Sequence, residues 1–241
     1  MGTILAVANA KGGTGKTTLA VNLACALGTR HTARLVDADD QLAAAAWMGH
    51  AEAPVPARRH LMDDSSVPDA ATCRQWIEPV RTAAESCSYL VIDLPPRLNT
   101  VVATAFALAD LVVVPVTPGG TEIRATRRCV EAVRRARASR GGPLPDCVLV
   151  PNRVDRRTTV GRALEHELRE MGEAVGPTLR QRAAHMTAFN AGTWAGDHTG
   201  GGEAAREIEA LVKFLRQRLG HAPGRKPASA AVHRAAGETG A

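Results

Sequence analysis

Aromatic residues are scarce in this 241-residue chain: they make up 3% of it, whereas hydrophobic residues as a whole make up 45%. A core of this composition must be built mainly from Ala, Val and Leu, which suits helices packed on a parallel sheet. The scarcity also leaves too few rings for the stacking platforms that bind single strands or read unpaired bases. Any nucleic acid that the chain binds is therefore expected to be a duplex, contacted through its backbone.

Paired cysteines and long apolar runs are also missing. The five cysteines are scattered without a C-x-x-C pair, which argues against a disulfide framework, a zinc site or an iron–sulfur cluster. The longest apolar runs are about ten residues, whereas a membrane-spanning helix needs about 20. The chain opens on MGTILAVAN, without a charged and then apolar leader. We therefore expect a cytoplasmic protein.

Lysine is rare, yet the chain is basic, with a formal charge of +6 and a pI near 9.5. Arginine carries nearly all of the positive charge, and two of the four lysines, Lys11 and Lys16, lie close together near the N-terminus. An arginine-rich excess is compatible with nucleic-acid binding. A genome of high GC content produces the same bias, so composition leaves both explanations open.

Apolar runs of strand length alternate with helical patterns along most of the chain. Strands are predicted at TILAVA, ARLVDA, YLVIDL, LVVVPV and CVLVPN, with a weaker one near Val175 to Leu179. Continuous apolar strands joined by helices predict a single α/β domain over residues 1–220, with a doubly wound, mostly parallel sheet between two helical layers. Residues 49–68, rich in proline and charge, predict an irregular surface excursion, and residues 221–241 a disordered tail.

The run KGGTGKTT, from Lys11 to Thr18, has the composition of a loop that holds a triphosphate. Glycines let backbone N–H groups curl around phosphate oxygens, and the N-terminus of the next helix adds its positive dipole end. In such a loop Lys16 reaches the β- and γ-phosphates and the Thr17 hydroxyl ligates Mg²⁺. The predicted ATP-binding residues are Gly12, Gly13, Thr14, Gly15, Lys16, Thr17 and Thr18.

The loop departs from the general pattern G-x-x-x-x-G-K-[ST], because Ala10 replaces the first glycine and Lys11 follows it. It resembles instead the loop N-x-KGG-x-GKTT of the deviant-Walker ATPases of the ParA/MinD/Soj family, matched from Asn9 to Thr18. The resemblance implies a P-loop NTPase fold and Mg²⁺-dependent ATP hydrolysis. It also implies that Lys11 crosses the interface of an ATP-bound homodimer, where a second cation offsets charge that develops during phosphoryl transfer.

Two further motifs of that family follow in the expected order. VDADDQ resembles D-x-D-P-Q, in which Asp37 matches the first aspartate and Asp39 the second, which orients the attacking water; Asp40 replaces the proline. YLVIDLPP resembles the strand whose final aspartate, here Asp93, contacts Mg²⁺ through water. The resemblance thus makes Lys11, Lys16 and Asp39 the catalytic residues, and Thr17, Asp93 and, less directly, Asp37 the metal-binding ones.

A fourth segment, PNRVD, resembles the part of these ATPases that touches adenine, and Asn152 is the residue that matches. A side-chain amide offers a donor and an acceptor together, which suits a purine edge. An asparagine that caps a strand end is the alternative.

Among the subgroups, the chain most resembles the short ParA proteins of plasmid partition. That resemblance implies an ATP-sandwich homodimer that binds DNA without sequence preference on the nucleoid, and that a ParB-like centromere-binding partner releases by stimulating hydrolysis. The alternatives are a MinD-like positioning ATPase on a membrane, phosphate transfer to a small molecule, and conjugation or cargo positioning with another partner. The apolar stripe from Ile208 to Leu219 could lie on a membrane, but its spacing suits a last core helix better, so membrane binding is not expected.

Arginines concentrate in the helical pattern EIRATRRCVEAVRRARASR, where Arg124, Arg128 and Arg135 share one face. A cluster of this density can neutralise several phosphates. A solvated helix exterior, with arginines paired to the glutamates of the same helix, is the alternative. A second DNA candidate is Arg180 with Arg182, in the region where members of the family carry DNA-contacting basic residues.

Overall fold

The computed structural model describes residues 1–50, 52–62, 69–198 and 202–220 as a seven-stranded sheet between two helical layers. The tail predicted for residues 221–241 lies outside the described residues. The strands are β1 (Thr3–Val7), β2 (Ala33–Asp37), β3 (Ala57–Arg59), β4 (Tyr89–Asp93), β5 (Leu111–Val116), β6 (Asp146–Pro151) and β7 (Ala174–Val175). The helices are α1 (Lys16–Gly28), α2 (Ala43–Trp47), α3 (Ala70–Glu85), α4 (Thr100–Leu108), α5 (Gly120–Arg140), α6 (Thr159–Arg169), α7 (Ala183–Asn190), α8 (Ala195–His198) and α9 (Glu203–Gly220).

The strands are all parallel and lie in the order β3-β2-β4-β1-β5-β6-β7. The predicted doubly wound parallel sheet is therefore confirmed. The chain passes from β1 to β2 and β3 on one side, returns to β4 between β2 and β1, and then continues through β5, β6 and β7 on the other side of β1. A crevice opens at the carboxyl ends of the strands where the winding reverses, which is where α/β sheets of this kind bind ligands.

Successive side chains along each strand point to opposite faces of the sheet, so the core is divided into two parts, one on each face. In β1, Ile4 and Ala6 pack with α3, α4, α5 and α6, whereas Leu5 and Val7 pack with α1, α2, α7 and α9. Helix α1 is almost entirely buried because it lies between the sheet and α9. Its N-terminus, at the end of the phosphate loop, is therefore rigidly held against the sheet.

The predicted irregular excursion over residues 49–68 is wrong in part, because Ala57–Arg59 form the edge strand β3, paired with the end of β2. This strand is short and half-exposed, so it leaves no apolar run in the sequence. His60 fixes it to α3: the indole N–H of Trp76 donates to the His60 carbonyl at 3.1 Å, and the His60 ring packs on the indole. The weak last strand is confirmed, but at Ala174–Val175 rather than through Leu179.

The apolar stripe of α9 faces the core. Ile208, Leu211, Leu215 and Leu219 are all buried against α1 and the sheet, as expected of a last core helix. In the described part of the chain, no helix is both long enough and apolar enough to cross a membrane.

Candidate functional site

The phosphate loop connects β1 to α1 through two glycines in the left-handed region, Gly13 with φ 77° and Gly15 with φ 87°. A Cβ atom on Gly15 would come within 2.5 Å of the amide nitrogen of Asn152, so only glycine fits there. The first intrahelical bond of α1 runs from the Leu19 N–H to the Gly15 carbonyl at 2.9 Å. The preceding amides of the helix have no partner within it, and they line the loop as an anion-binding end.

Side chains behind the loop hold its carbonyl groups. The Asn152 amide donates to the Thr14 carbonyl at 2.7 Å, and the Arg153 guanidinium to the Gly13 carbonyl at 3.0 Å. At the start of the loop, the Asn9 amide donates to the Pro115 carbonyl at 2.9 Å. Because side chains outside the loop donate hydrogen bonds to its carbonyl groups, the loop has this conformation without a bound phosphate. Asn152 therefore braces the loop, whereas its contact with adenine stays a prediction.

Lys16 lies over the loop, and its ammonium group donates to the Lys11 carbonyl at 3.1 Å. Burial lowers the pKa of Lys16, while the carboxylates of Asp93 and Asp39 act in the opposite direction. The lysine is thus a partly desolvated cation facing two acids, and its charge acts with little screening. Its contact with the β- and γ-phosphates stays a prediction.

Asp93 ends β4 between Val7 of β1 and Asp37 of β2. It is fully buried, and among the described residues neither of its carboxylate oxygens has a hydrogen-bond partner of good geometry. Burial raises its pKa to about 7, the nearby Thr17 hydroxyl lowers it, and the neighbouring Asp37 raises it. A buried carboxylate without a donor needs a compensating charge. With the Thr17 hydroxyl beside it, the oxygen donors fit a Mg²⁺ that keeps water and phosphate as its other ligands.

Asp37 holds the turn that follows β2. One carboxylate oxygen accepts from the Asp39 N–H at 3.1 Å and the other from the Ala45 N–H at 2.8 Å. Burial raises the pKa of Asp37, and these backbone bonds oppose the shift. The contacts make Asp37 a positioning residue for Asp39; its predicted indirect role around the metal stays a prediction.

Asp39 lies at the rim of the same crevice and is 8% exposed. Its carboxylate accepts from the Gln41 N–H at 3.1 Å. Burial raises its pKa, the neighbouring Asp40 adds to the rise, and Lys16 opposes it. Asp40 itself forms an ion pair with Arg97, which joins the loop after β2 to the loop after β4. A carboxylate near Lys16, held by a backbone bond, has the chemistry to orient a water molecule for attack.

Lys11 points along the surface to the first turn of α5. Its ammonium group lies 3.6 Å from a carboxylate oxygen of Glu122 and 3.5 Å from the Thr121 hydroxyl, which donates to the same glutamate at 2.8 Å. Its side chain is 42% exposed. Lys11 is therefore tethered beside its own loop by a weak, half-exposed ion pair that can exchange for another anion.

A cavity of about 180 Å³ opens beside Gly15 and Thr18. Its apolar walls come from α1, α2, α7 and α9. Its polar groups come from Asn152, from the next residue, Arg153, and from residues 180–182 after β7. A mainly apolar pocket with a few polar groups suits a nucleoside, and this one adjoins the phosphate loop. The main side chains that line it are Leu19, Trp47, Asn152, Arg153, Leu179 and His185.

The DNA candidates are in two places. Arg124, Arg128 and Arg135 are exposed along α5, on the far side of the sheet from α9. Arg182 is bound by Glu207 at 2.7 Å and by Glu203, so two carboxylates neutralise it. Arg180 is exposed and lines the cavity beside the phosphate loop. The two groups thus lie on different parts of the fold, and Arg182 differs from the α5 arginines in its partners.

Sequence reasoning missed Arg153 and Glu122 as parts of the site, and gave Asn9 no role. Arg153 left one signal, its place in PNRVD beside Asn152, but its bond to Gly13 spans 140 positions. Glu122 was considered only as a partner for arginines of its own helix. Such contacts depend on how distant segments approach, and a local pattern does not record them.

Comparisons with known proteins agree with this geometry. The family model described as the CobQ/CobB/MinD/ParA nucleotide binding domain matches residues 5–193. The maintenance of carboxysome distribution protein A (McdA) of Gloeobacter kilaueensis is 34% identical over 224 residues, which cover 90% of this chain and 93% of that protein. The chromosome partitioning protein ParA of Caulobacter vibrioides is 28% identical over 200 residues, 69% of this chain and 75% of that protein. An ATP complex of a McdA variant from Cyanothece has a TM-score of 0.72 at 18% identity, covering 91% of this chain and 96% of that one; this likeness concerns the fold.

Proposed function

Since the chain belongs to the CobQ/CobB/MinD/ParA nucleotide-binding family, as a P-loop ATPase of the ParA/MinD type, we propose that it hydrolyses ATP with Mg²⁺ as a switch that positions a cargo on DNA. The observation that carries this proposal is the pair of buried aspartates, Asp39 and Asp93, facing Lys16 at the open end of a preformed phosphate loop. A structural loop would not need two buried acids and a buried lysine around it.

The residues divide the chemical work. The loop amides and Lys16 would hold the phosphates, and the Thr17 hydroxyl and Asp93 would hold a Mg²⁺ ion. A bound Mg²⁺ supplies positive charge to the phosphate oxygens. Asp39, fixed by its bond from the Gln41 N–H, orients the attacking water. The nucleoside occupies the cavity beside Asn152.

Lys11 completes the site of a second copy of the chain. The ion pair with Glu122 holds its ammonium group against the first turn of α5 and leaves it half exposed. In an ATP-bound homodimer, Lys11 leaves Glu122 and binds the phosphates of the ATP in the partner subunit. A cation supplied across an interface makes hydrolysis depend on assembly, as an arginine finger does.

In this proposal the ATP-bound dimer binds duplex DNA without sequence preference and so associates with the nucleoid in the cytoplasm. A partner protein of the ParB type, bound to the cargo, stimulates hydrolysis and releases the dimer. Partition of a plasmid or chromosome is the function that the resemblance of the motifs favours. The basic arginine surfaces support the DNA step.

A second candidate is the positioning of a protein compartment, with the same chemistry and a different partner. The observation that favours it is the 34% identity to the McdA of Gloeobacter kilaueensis over 90% of this chain. No comparable observation supports phosphate transfer to a small molecule. The apolar stripe of α9, which could have suggested a membrane contact, is buried in the core.

The test compares the wild-type protein with Asp39→Ala and Lys16→Ala. We expect Asp39→Ala to bind ATP and dimerise without turnover, and Lys16→Ala to lose ATP-dependent behaviour altogether. Phosphate release measures turnover, and light scattering measures assembly. Normal turnover by Asp39→Ala would remove its assigned role.

DNA binding is measured separately, with ATP, ADP or no nucleotide, at two salt concentrations and alongside anionic liposomes. Binding that requires ATP and weakens with salt supports the proposal. Binding to liposomes without binding to DNA would refute the DNA step.

A further inference from the structure

The exposed face of α5 carries four arginines that the fold does not use. One side of the helix is buried in the core through residues such as Ile123, Cys129 and Val133. The opposite side projects into solvent. At 3.6 residues per turn its arginines fall within a sector of roughly 100°. We call this surface the α5 arginine face; its members are Arg124, Arg127, Arg128 and Arg135.

The other arginines of α5 do have structural work. Arg134 and Arg137 each lie 3.1 Å from a carboxylate oxygen of Glu173, and Arg140 donates to the Ala109 carbonyl. In the described parts of the chain, by contrast, no hydrogen bond or ion pair reaches the guanidinium groups of the α5 arginine face. The expected alternative, pairing with glutamates of the same helix, is therefore not seen there: Glu122 binds Lys11 instead.

The surroundings of the face leave its charge largely unopposed. Helix α4, which packs beside α5, has no ionisable residue in its sequence TVVATAFAL. Glu131 is the acidic residue within the face itself, and it is exposed. In the second basic candidate, Arg182 is neutralised by Glu203 and Glu207, and Arg180 lines the cavity beside the phosphate loop.

The chemistry of the face suits a row of phosphates. A guanidinium fork binds phosphate oxygens in pairs and is less strongly hydrated than an ammonium group. Arg124 and Arg135 are eleven positions apart, about 16 Å along the helix, which matches roughly five base pairs of one strand at 3.4 Å each. The face has no aromatic side chain to stack on bases and none of the exposed large apolar residues that would enter a membrane.

We propose that the α5 arginine face binds the phosphate backbone of duplex DNA, and that Arg182 serves the fold instead. The inference rests on the proposed function, because it locates the DNA contact of the ATP-bound protein. It assigns the contact to a helix that is separate from the ATP-binding residues, so DNA binding and hydrolysis can be changed independently.

The test is the double variant Arg124→Gln/Arg128→Gln in the full-length protein. Its matched control is Arg74→Gln/Arg81→Gln, which removes the same charge from exposed positions on α3, in the same helical layer. Binding of a duplex of random sequence is measured with ATP across a series of salt concentrations. Phosphate release and ATP-dependent dimerisation should match the wild type in both variants.

Log K falls as log salt rises, and each phosphate contact adds about 0.9 to the steepness of this fall. We therefore expect the slope of the double variant to be shallower than that of the wild type by about 2. Near 0.1 M salt this corresponds to a loss of affinity of roughly 10- to 100-fold. The control should keep the wild-type slope. Glu131→Gln, which removes the acidic group from the face, should tighten binding.

The outcomes separate this inference from the function on which it rests. If the wild type does not bind duplex DNA with ATP, the DNA step of the proposed function fails. If the wild type binds and the double variant keeps the slope of the control, the α5 arginine face is not the contact. Binding to phosphatidylserine vesicles that the double variant loses, without binding to DNA, would overturn the choice of DNA as the partner.

Discussion

Replacing Asp93 by asparagine should stabilise the protein in the absence of nucleotide, although it removes a residue of the proposed Mg²⁺ site. Burial raises the pKa of Asp93 from its ordinary value of 3.8 to about 7. The folded state therefore holds this proton more tightly than the unfolded state does, and the free energy of unfolding falls as pH rises from about 4 to 7. Each pKa unit corresponds to about 1.4 kcal/mol, so the buried acid costs the folded state up to about 4 kcal/mol at pH 8.

The asparagine side chain would keep the shape of the aspartate and remove its charge. We expect Asp93→Asn to raise the free energy of unfolding by up to about 4 kcal/mol at pH 8, by about 2 kcal/mol at pH 5 and by less than about 1 kcal/mol at pH 4. Urea unfolding followed by far-ultraviolet circular dichroism at several pH values measures this difference. Turnover of ATP should fall in the same variant.

The control is Asp69→Asn at the start of α3. Asp69 caps that helix through a 2.8 Å bond from the Thr72 N–H, which lowers its pKa, and asparagine is an equally good cap. This variant should gain no stability at any pH. The absence of a gain by Asp93→Asn, or a gain that is the same at pH 5 and pH 8, would refute the raised pKa of Asp93.

Two other substitutions test the phosphate loop and its tether. Glu122→Gln removes an ion pair of a kind worth up to about 1 kcal/mol in each subunit. Because a homodimer releases two such pairs, the variant should form ATP-dependent dimers at protein concentrations up to about 30-fold lower, as measured by sedimentation. An unchanged or weaker dimer would contradict the tether. Gly15→Ala should abolish ATP binding in a calorimetric titration and lower the free energy of unfolding. The added Cβ is strained at φ 87° and lies 2.5 Å from the Asn152 amide nitrogen. The control, Gly12→Ala, should remain folded, because its Cβ would lie 4.0 Å from its nearest neighbour.

The sequence predicts the strands and the residues at their ends because buried parallel strands are continuous apolar runs. Asp37 and Asp93 each end such a run, and the parallel register sets them opposite one another. The loop glycines were equally predictable, since a glycine-rich turn before Lys16 admits few other structures. These features depend on neighbours in the chain, which a local pattern records.

The features that sequence reasoning missed depend on approach between distant segments. Strand β3 is three residues long and lies at the sheet edge, where it is held by backbone pairing with β2. Because it is half-exposed, its sequence has no apolar run from which a strand could be predicted. The tether of Lys11 to Glu122 and the brace from Arg153 to Gly13 join residues more than 100 positions apart. Charge and chain order alone do not choose among the possible partners of a surface lysine or arginine.

The scarcity of aromatic residues gives this protein an intrinsic optical probe of its nucleotide site. Of its three tryptophans, Trp47 lines the cavity beside the phosphate loop, with the Phe189 ring 4.9 Å away. Trp76 lies on the opposite face of the sheet, in the α3 layer. Trp194 does not line the cavity but follows Thr193, whose carbonyl accepts from the Trp47 indole at 2.8 Å. A nucleoside entering the cavity would therefore change the surroundings of Trp47 directly and leave Trp76 as a background. The fluorescence emission of the unlabelled protein can therefore follow its own ligand in real time.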